Sequence, residues 1–378
     1  MEELAMYIHI PFCISKCYYC DFNSYSDKNE YILDYIKHVN NELKMYSKIV
    51  SKYKIKTIFI GGGTPSSIKA SYIYEILKNI YKNFNVSDII EVSIELNPKT
   101  VDDEKLKTYK EIGINRISIG CQSLQDKILK SIGRVHTSSD FHKTYELIIK
   151  HGFSNINVDL MFGLPEQSTN DVLSTLSDIT SLEVNHISLY SLIIEEGTKF
   201  YNWYNNSKIK LPEEDEERNM YHQSIDYLKD QGYNHYEISN FAKSGFECEH
   251  NLFYWQLKPY IGIGLGAHSN IGGKRFWNYG DFESYFVNIR DGMLPISGEE
   301  VINTEMEMAE FLILGLRLIK GISKKEFYQR FNISVDDVYG EVLKTHRESG
   351  LLYIDEEYIK FTSKGLDLAN LIFVDLIP

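Results

Sequence analysis

Short apolar runs recur through the first half of the chain, one about every 30 residues. They are Met6–Ile10, Thr57–Ile60, Glu91–Leu96, Arg116–Gly120, Asn155–Met161 and His186–Leu192. Each is rich in Ile, Val, Phe or Tyr and has the length of a buried strand. Amphipathic stretches separate them. Ile32, Tyr35, Ile36, Val39, Leu43 and Tyr46 keep helical spacing, as do Tyr72, Ile76, Leu77 and Ile80, and later Val172, Leu176 and Ile179. Alternation of this kind predicts a parallel α/β sheet, either open or curled into a partial barrel. It puts Cys13, Gly61–Gly63, Glu95, Gln122 and Asp159 at or just past strand C-terminal ends, the rim where parallel α/β folds build their sites.

Beyond about residue 200 the pattern changes. An acidic run, Glu213–Glu217, opens a helix and reads as its solvated start. A loop-rich aromatic segment spans Tyr233 to Tyr279. Ala309, Leu312, Ile313, Leu316 and Ile319 then form a new helical stripe, and two shorter helices follow. Leu351–Ile354 and Tyr358–Phe361 flank Asp355-Glu356-Glu357 as a β-hairpin. Three helices and a hairpin in that order predict a winged-helix-like unit. The expected divisions are 1–200 for the barrel, 201–295 for an extension carrying the aromatic loop, and 296–378 for a C-terminal helical domain.

Charge and hydropathy narrow the function. The 378 residues carry 40 Lys+Arg against 53 Asp+Glu, a net charge of −13, which argues against a general nucleic-acid binder. The C-terminal unit is therefore expected to act as a lid or partner surface. No apolar run reaches the ~18 residues that span a bilayer, and Phe311–Ile319 is interrupted by Arg317. The first residues lack the basic segment and long apolar core of a signal peptide, so a soluble cytoplasmic protein is expected.

Five cysteines are present, Cys13, Cys17, Cys20, Cys121 and Cys248, with three of them packed together as C-x3-C-x2-C. An odd count clustered in this way is a poor disulfide framework and points to metal or redox chemistry. Soft thiolates select iron–sulfur clusters, Zn²⁺ or Cu(I). A structural zinc site takes four ligands, usually as two C-x2-C pairs. No fourth thiol is local, although folding can bring Cys121 or Cys248 near. Three thiolates on a [4Fe–4S] cube leave one iron open. Such an iron binds the amino and carboxylate groups of S-adenosylmethionine and reduces its sulfonium to release a 5′-deoxyadenosyl radical, chemistry that belongs to the cofactor. The spacing favours this reading over zinc.

The cysteine motif resembles that of the radical SAM superfamily. The longer string Tyr7-Ile-His-Ile-Pro-Phe-Cys13 resembles one branch of it, the oxygen-independent coproporphyrinogen oxidases and the HemW heme chaperones. Further strings carry the likeness over nearly the whole chain: Gly61-Gly-Gly-Thr64-Pro-Ser, Glu95-Leu-Asn-Pro98, Ser118-Ile-Gly-Cys-Gln122-Ser, Gly133-Arg-Val-His136, Asp159-Leu-Met-Phe-Gly-Leu-Pro165 and Gly315-Leu-Arg-Leu-Ile. The resemblance implies an α/β radical SAM partial (β/α)6 TIM-like barrel with a C-terminal helical, winged-helix-like domain. It implies Cys13, Cys17 and Cys20 as ligands of the [4Fe–4S] cluster. It assigns Tyr7, Tyr19, Gly62, Gly63, Thr64, Glu95, Gln122, Arg134 and Asp159 to S-adenosylmethionine. The residue chemistry agrees: a glycine run lets backbone approach a ligand, although it also reads as a tight strand–helix turn. A carboxylate ending an apolar strand, as Glu95 does, needs a partner, either a rim salt bridge or the cofactor's sulfonium and ribose.

Two features separate the branches. The oxidases carry a further cysteine two residues past the third cluster cysteine, and a longer segment before the tyrosine; here Phe22 stands at that position and six residues precede Tyr7. The string Cys248-Glu-His250-Asn-Leu-Phe-Tyr254-Trp255 supplies a histidine able to ligate heme iron and aromatics able to pack on a porphyrin. On spacing alone such a histidine reads equally as a hydrogen-bonded structural residue. The H-N-x-x-Y-W pattern resembles that of the HemW family, which implies heme b held near His250, Tyr254 and Trp255. Cys248 is open as an alternative thiolate ligand or as a small buried residue. The expected function is a heme chaperone that passes heme to an acceptor protein, with a homodimer among its open assemblies. The alternatives are oxidative decarboxylation of coproporphyrinogen III to protoporphyrinogen IX, and radical chemistry on heme itself. Both would need an electron donor such as flavodoxin or ferredoxin. Gly262-Ile-Gly-Leu-Gly-Ala-His268 mimics a dinucleotide fingerprint without its strand–helix frame and reads as a close-packed turn.

Overall fold

The computed structural model describes residues 1–378. Six parallel strands lie side by side in chain order: β1 (Glu2–Ile10), β2 (Tyr53–Gly62), β3 (Glu91–Leu96), β4 (Arg116–Gln122), β5 (Asn155–Phe162) and β6 (His186–Ser191). All six expected runs are strands. β1 and β2 begin four residues earlier than their apolar runs, because Tyr53-Lys-Ile-Lys alternates and buries only one face. Helices return the chain between strands. Ile32–Ile49 buries Tyr35, Ile36, Val39, Leu43 and Tyr46, the stripe the spacing predicts. Ser138–Lys150 and Thr169–Ser181 each start in a capping box, Thr137 with Asp140 and Ser168 with Asp171.

The six strands do not close. β1 accepts β9 (Tyr260–Ile263) in parallel on its free edge, and β10 (His268–Ile271), β11 (Lys274–Asn278) and β12 (Ile296–Val301) follow antiparallel. At the other edge β6 accepts β8 (Asn240–Ala242), which pairs with β7 (Asn234–Glu237). The result is one mixed sheet of 12 strands, with the six-strand partial barrel at its centre.

Packing redraws the expected domain borders. A single core of 58 buried residues runs from Leu4 to Ile289, so barrel and extension fold as one body. The border at 200 falls inside the helix Lys199–Asn205. The border at 296 falls at the start of β12, whose ladder to β11 keeps it in the large sheet through Val301. The C-terminal unit begins after that strand. Its separate core of 12 buried residues, Met308 to Leu376, joins helices Thr304–Gly315, Lys324–Phe331 and Val335–Glu348 to the hairpin Leu352–Ile354 and Tyr358–Phe361. The expected helix and hairpin order stands. Backbone bonds from Ile238 N–H to the Arg317 carbonyl (3.0 Å) and from Ile319 N–H to the Tyr236 carbonyl (3.1 Å) dock this unit beside β7. No helix is long and apolar enough to cross a membrane.

Candidate functional site

Past β1 the chain forms a loop, residues 11–25, that carries the three clustered thiols. The loop is tied at several points. Cys13 N–H donates to the Tyr25 carbonyl (2.9 Å), Tyr25 N–H to Pro11 (2.7 Å) and Tyr18 N–H to Ile132 (3.1 Å). The Lys16 ammonium donates to the carbonyls of Phe22 (2.9 Å) and Ser24 (3.2 Å), and His9 Nε2 bonds the Asn23 carbonyl at 2.8 Å. Cys13, Cys17 and Cys20 thereby face one pocket of about 130 Å³ at the rim of the barrel.

The same pocket receives eight of the nine residues assigned to S-adenosylmethionine: Tyr19, Gly62, Gly63, Thr64, Glu95, Gln122, Arg134 and Asp159. Six of them come from β2 to β5 or the residues just after β2; Tyr19 belongs to the cysteine loop and Arg134 follows the helix Asp126–Ser131. Asp159 stands mid-way along β5 rather than at its end, so it forms part of the pocket floor. Gln122 follows a register shift between β4 and β5 and has φ 64°, a backbone strain that aims its side chain at the pocket. Tyr7 is placed elsewhere. Three residues below the end of β1, it lines a second, deeper cavity and bonds His9 Nδ1 at 3.0 Å.

The glycine run is a close approach. A Cβ on Gly63 would lie 2.8 Å from the Phe12 carbonyl oxygen and 2.9 Å from Cys13 Sγ. One on Gly62, at φ +112°, would lie 2.6 Å from the His9 ring. Only glycine lets β2 pass against the cysteine loop.

Hydrogen bonds reach two of the thiols. Thr64 Oγ1 donates to Cys13 Sγ at 3.7 Å, and Arg134 Nη1 donates to Cys17 Sγ at 3.4 Å. Burial pushes the Cys13 and Cys20 thiols above their ordinary values, and the nearby Lys16 charge opposes this. No three His, Cys, Asp or Glu side chains converge closely enough to hold a single ion. The three thiols line one pocket with no fourth cysteine beside them, a donor set that suits a polynuclear cluster with one open iron better than a tetrahedral structural zinc.

The pocket also holds unspent polarity. Burial raises the Glu95 carboxyl to about 8, helped by the Asp159 charge and opposed by a bond from Gly62 N–H at 3.1 Å. Burial raises Asp159 too, against bonds from Ser118 (2.9 Å) and Asn157 (2.7 Å). Buried carboxyls of this kind gain from a cation beside them. Gln122 Oε1 and Arg134 Nε are buried without partners. Thiols, glycine cradle, paired carboxyls and orphaned polar atoms together fit a cluster and a cationic, amino-acid-bearing cofactor.

The deeper cavity, about 170 Å³, shares Glu95 and Asp159 with the first and adds Tyr7, Arg116, Tyr190, Cys248, His250 and Tyr254. His250 rides on the helix Glu249–Trp255 and is 1% exposed. Its Nδ1 bonds Thr57 Oγ1 at 2.8 Å and its Nε2 bonds Tyr254 Oη at 2.8 Å. Burial lowers its pKa to about 3, so the imidazole is neutral and both nitrogens are engaged. Cys248 donates to Glu91 Oε1 at 3.5 Å and burial raises its thiol, which makes it a small buried residue and not a ready thiolate. Trp255 is placed apart from His250 and Tyr254. His250 and Tyr254, four apart, share one helix face; Trp255 is turned about 100° away and stacks under the Arg317 guanidinium at 4.4 Å, outside the cavity. A porphyrin does not fit 170 Å³, since pockets for drug-sized ligands run to roughly 300–1,000 Å³.

Several functional neighbours escaped the sequence. Asn97 lines the cluster pocket and bonds both Thr64 and Arg134. Arg116, 2% exposed, opens β4 and donates to Asn155 Oδ1 (2.6 Å) and the Phe246 carbonyl (3.2 Å). Glu42 lies buried on an apolar helix face and accepts from Tyr285 (2.6 Å), Asn278 (2.7 Å) and Gly264 N–H (2.9 Å). That carboxylate anchors the Gly262–His268 turn, where a Cβ on Gly264 would lie 2.4 Å from Tyr35 Oη. The dinucleotide-like string is the close-packed turn its context suggested.

Comparisons with known proteins follow the same outline. The family model for the radical SAM superfamily matches residues 7–179, and that for the HemN C-terminal domain matches residues 302–368. The heme chaperone HemW of Bacillus subtilis (strain 168) is 39% identical over 370 residues, 98% of each chain. That of Lactococcus lactis is 36% identical over 372 residues, 98% of this chain and 96% of its own. That of Escherichia coli (strain K12) is 39% identical over 272 residues, 72% of this chain and 71% of its own. Among solved structures, the coproporphyrinogen III oxidase HemN of Escherichia coli, a radical SAM enzyme, superposes with a TM-score of 0.86 at 22% identity, covering 100% of this chain and 90% of that one. That last likeness is one of fold.

Proposed function

The chain belongs to the HemW heme chaperone family within the radical SAM superfamily, and from that premise we propose that it binds heme and passes it to an acceptor protein. The observation that carries the reading is likeness to these chaperones from the cysteine loop through the C-terminal unit. The family brings a [4Fe–4S] cluster and S-adenosylmethionine as cofactors. Cys13, Cys17 and Cys20 are the cluster ligands in this reading. Tyr19, Gly62, Gly63, Thr64, Glu95, Gln122, Arg134 and Asp159 receive S-adenosylmethionine. Bound together, the two cofactors supply one-electron reduction of a sulfonium. The chain's own side chains position the cofactor: Glu95 and Asp159 face its cationic centre, and Gln122 and Arg134 spend their free polar atoms on it.

His250 is the proposed heme ligand, and the geometry sets a condition on it. Its Nε2 must give up Tyr254, and the cavity must widen, so heme uptake requires the helix Glu249–Trp255 to shift. Work in the cytoplasm belongs to the same reading. A second reading, radical turnover of a tetrapyrrole with flavodoxin or ferredoxin as electron donor, is favoured by the completeness of the cluster pocket. Phe22 weighs against it: it lines that pocket, 61% exposed, where the oxidases place a cysteine.

One anaerobically reconstituted sample tests both. Heme titration of wild type and His250→Ala is expected to show binding that weakens in the variant, with no protoporphyrinogen formed from coproporphyrinogen. Turnover of coproporphyrinogen, or a wild type that does not bind heme, contradicts the chaperone reading.

A further inference from the structure

Three residues that are not cluster ligands connect two of the cysteine thiols. Arg134 Nη1 donates to Cys17 Sγ at 3.4 Å, and its Nη2 donates to Asn97 Oδ1 at 2.6 Å and to the Gly120 carbonyl. Asn97 Nδ2 donates to Thr64 Oγ1 at 2.8 Å, and Thr64 Oγ1 donates to Cys13 Sγ at 3.7 Å. The direction of every bond is fixed by the arginine, which has no acceptor. Arg134 forces the amide oxygen of Asn97 toward itself, so the amide nitrogen must face Thr64. Thr64 then accepts from Asn97, and its own hydrogen is left for the sulfur of Cys13. The glycine of Ser118-Ile-Gly120 belongs to the same assembly, because a Cβ there would lie 2.5 Å from Asn97 Oδ1 and 3.1 Å from Arg134 Nη2. Cys20 lies outside the brace.

We propose that Asn97 is a positioning residue that sets the reduction potential of the cluster by orienting Thr64 and Arg134 as hydrogen-bond donors to the Cys13 and Cys17 sulfurs. The inference rests on the reading of the three cysteines as cluster ligands. The physical cause is general. Donors to cluster sulfurs stabilise the more negative, reduced state, and their partners one bond further out hold them in place. Asn97 touches no thiol, yet it decides where the Thr64 hydrogen points. An aspartate of the same shape would reverse that. Its carboxylate accepts from Arg134 and from the Thr64 hydroxyl, draws the hydroxyl hydrogen off Cys13, and adds a negative charge. Both effects disfavour reduction.

The test is a redox titration of the anaerobically reconstituted full chain, with mediators and dithionite, followed by electron paramagnetic resonance. At a fixed solution potential, Asn97→Asp is expected to lower the ratio of reduced to oxidised cluster about tenfold, about 59 mV for a one-electron couple. Thr64→Val is expected to move the potential in the same direction, and Thr64→Ser to restore the wild-type value. Wild-type potentials in both Asn97→Asp and Thr64→Val, at full iron and sulfide content, overturn the proposal. If Asn97→Asp does not load, the Thr64 pair decides: equal potentials for Val and Ser overturn it, and a gap between them supports it. A Cys17→Ala control that retains the full cluster would instead sink the ligand assignment beneath it.

Discussion

The rim pocket and the deeper cavity share two carboxyls and differ in how far their polar groups are already satisfied. At the rim, Gln122 Oε1 and Arg134 Nε have no partner, and the Glu95 carboxyl, pushed up by burial, takes a single hydrogen bond, from Gly62 N–H. Below it, both ring nitrogens of His250 are taken and Cys248 is bonded to Glu91. The rim is prepared for a group that arrives; the interior is complete without one. Unmet hydrogen-bonding capacity in a buried site costs stability, so it persists where a ligand recovers it. A ligand entering the interior must first break bonds that already exist. The contrast fits the proposed reading, in which the rim takes the resident cofactors and the interior the cargo that comes and goes.

The largest expected effect is at the rim. Cys17→Ala should reduce iron and sulfide after anaerobic reconstitution to background while the apoprotein still folds, since in the proposed reading three thiols hold the cluster and no fourth cysteine lines the pocket. Gly63→Ala comes next. Its methyl group meets the backbone of Phe12, which cannot yield, so urea unfolding should show a loss of about 1–3 kcal/mol, accompanied by poor cluster loading. In the interior, His250→Ala leaves Thr57 and Tyr254 unpartnered and should cost about 1–3 kcal/mol by the same measurement. A His250→Ala protein as stable as wild type would break the comparison, because it would show the interior to be no better satisfied than the rim.

The pH responses should diverge as well. The free Glu95 carboxyl holds its proton to about pH 8, and a sulfonium beside it favours the charged form. S-adenosylmethionine binding at pH 7 should therefore release a proton. Its affinity should rise with pH by at most about tenfold per unit until Glu95 ionises. Calorimetry in buffers of different ionisation enthalpy reads this directly, and Glu95→Gln should abolish it. His250 works in the other direction. Unfolded histidine takes a proton below about 6.5, whereas the folded one does so near 3, so stability should fall as pH drops through that window. Heme binding near neutrality should exchange no proton at an imidazole that is already neutral. The smallest expected effect is at Trp255, which stacks on Arg317 outside the cavity. Trp255→Phe should cost less than about 1 kcal/mol and leave heme affinity unchanged.

Much of this was legible in the sequence wherever one residue type at one spacing implies one physical need. Runs buried on both faces announced β1 to β6, and C-x3-C-x2-C announced the cluster loop. Residues whose role depends on a distant partner were not legible. Asn97 looks like part of a turn until Arg134, 37 positions later, fixes its amide. Glu42 reads as a misplaced charge on an apolar helix face until Tyr285 and Asn278 arrive from the extension. Tyr7 and Trp255 were named from their motifs, which do not reveal that one lines the deeper cavity and the other stacks under Arg317. The extent of the sheet was hidden for a related reason: a change of local pattern near 200 and 296 does not reveal that β7 to β12 extend the same sheet.

The most direct test of the rim assignment is pulsed electron–nuclear resonance of the reduced, reconstituted protein with S-adenosylmethionine labelled in its amino nitrogen and carboxylate oxygen. Hyperfine coupling from both labels to the cluster, lost together with the cluster in Cys17→Ala, is the expected result. A signal unchanged by adding labelled S-adenosylmethionine, or a wild type that takes up zinc in place of iron and sulfide, contradicts it.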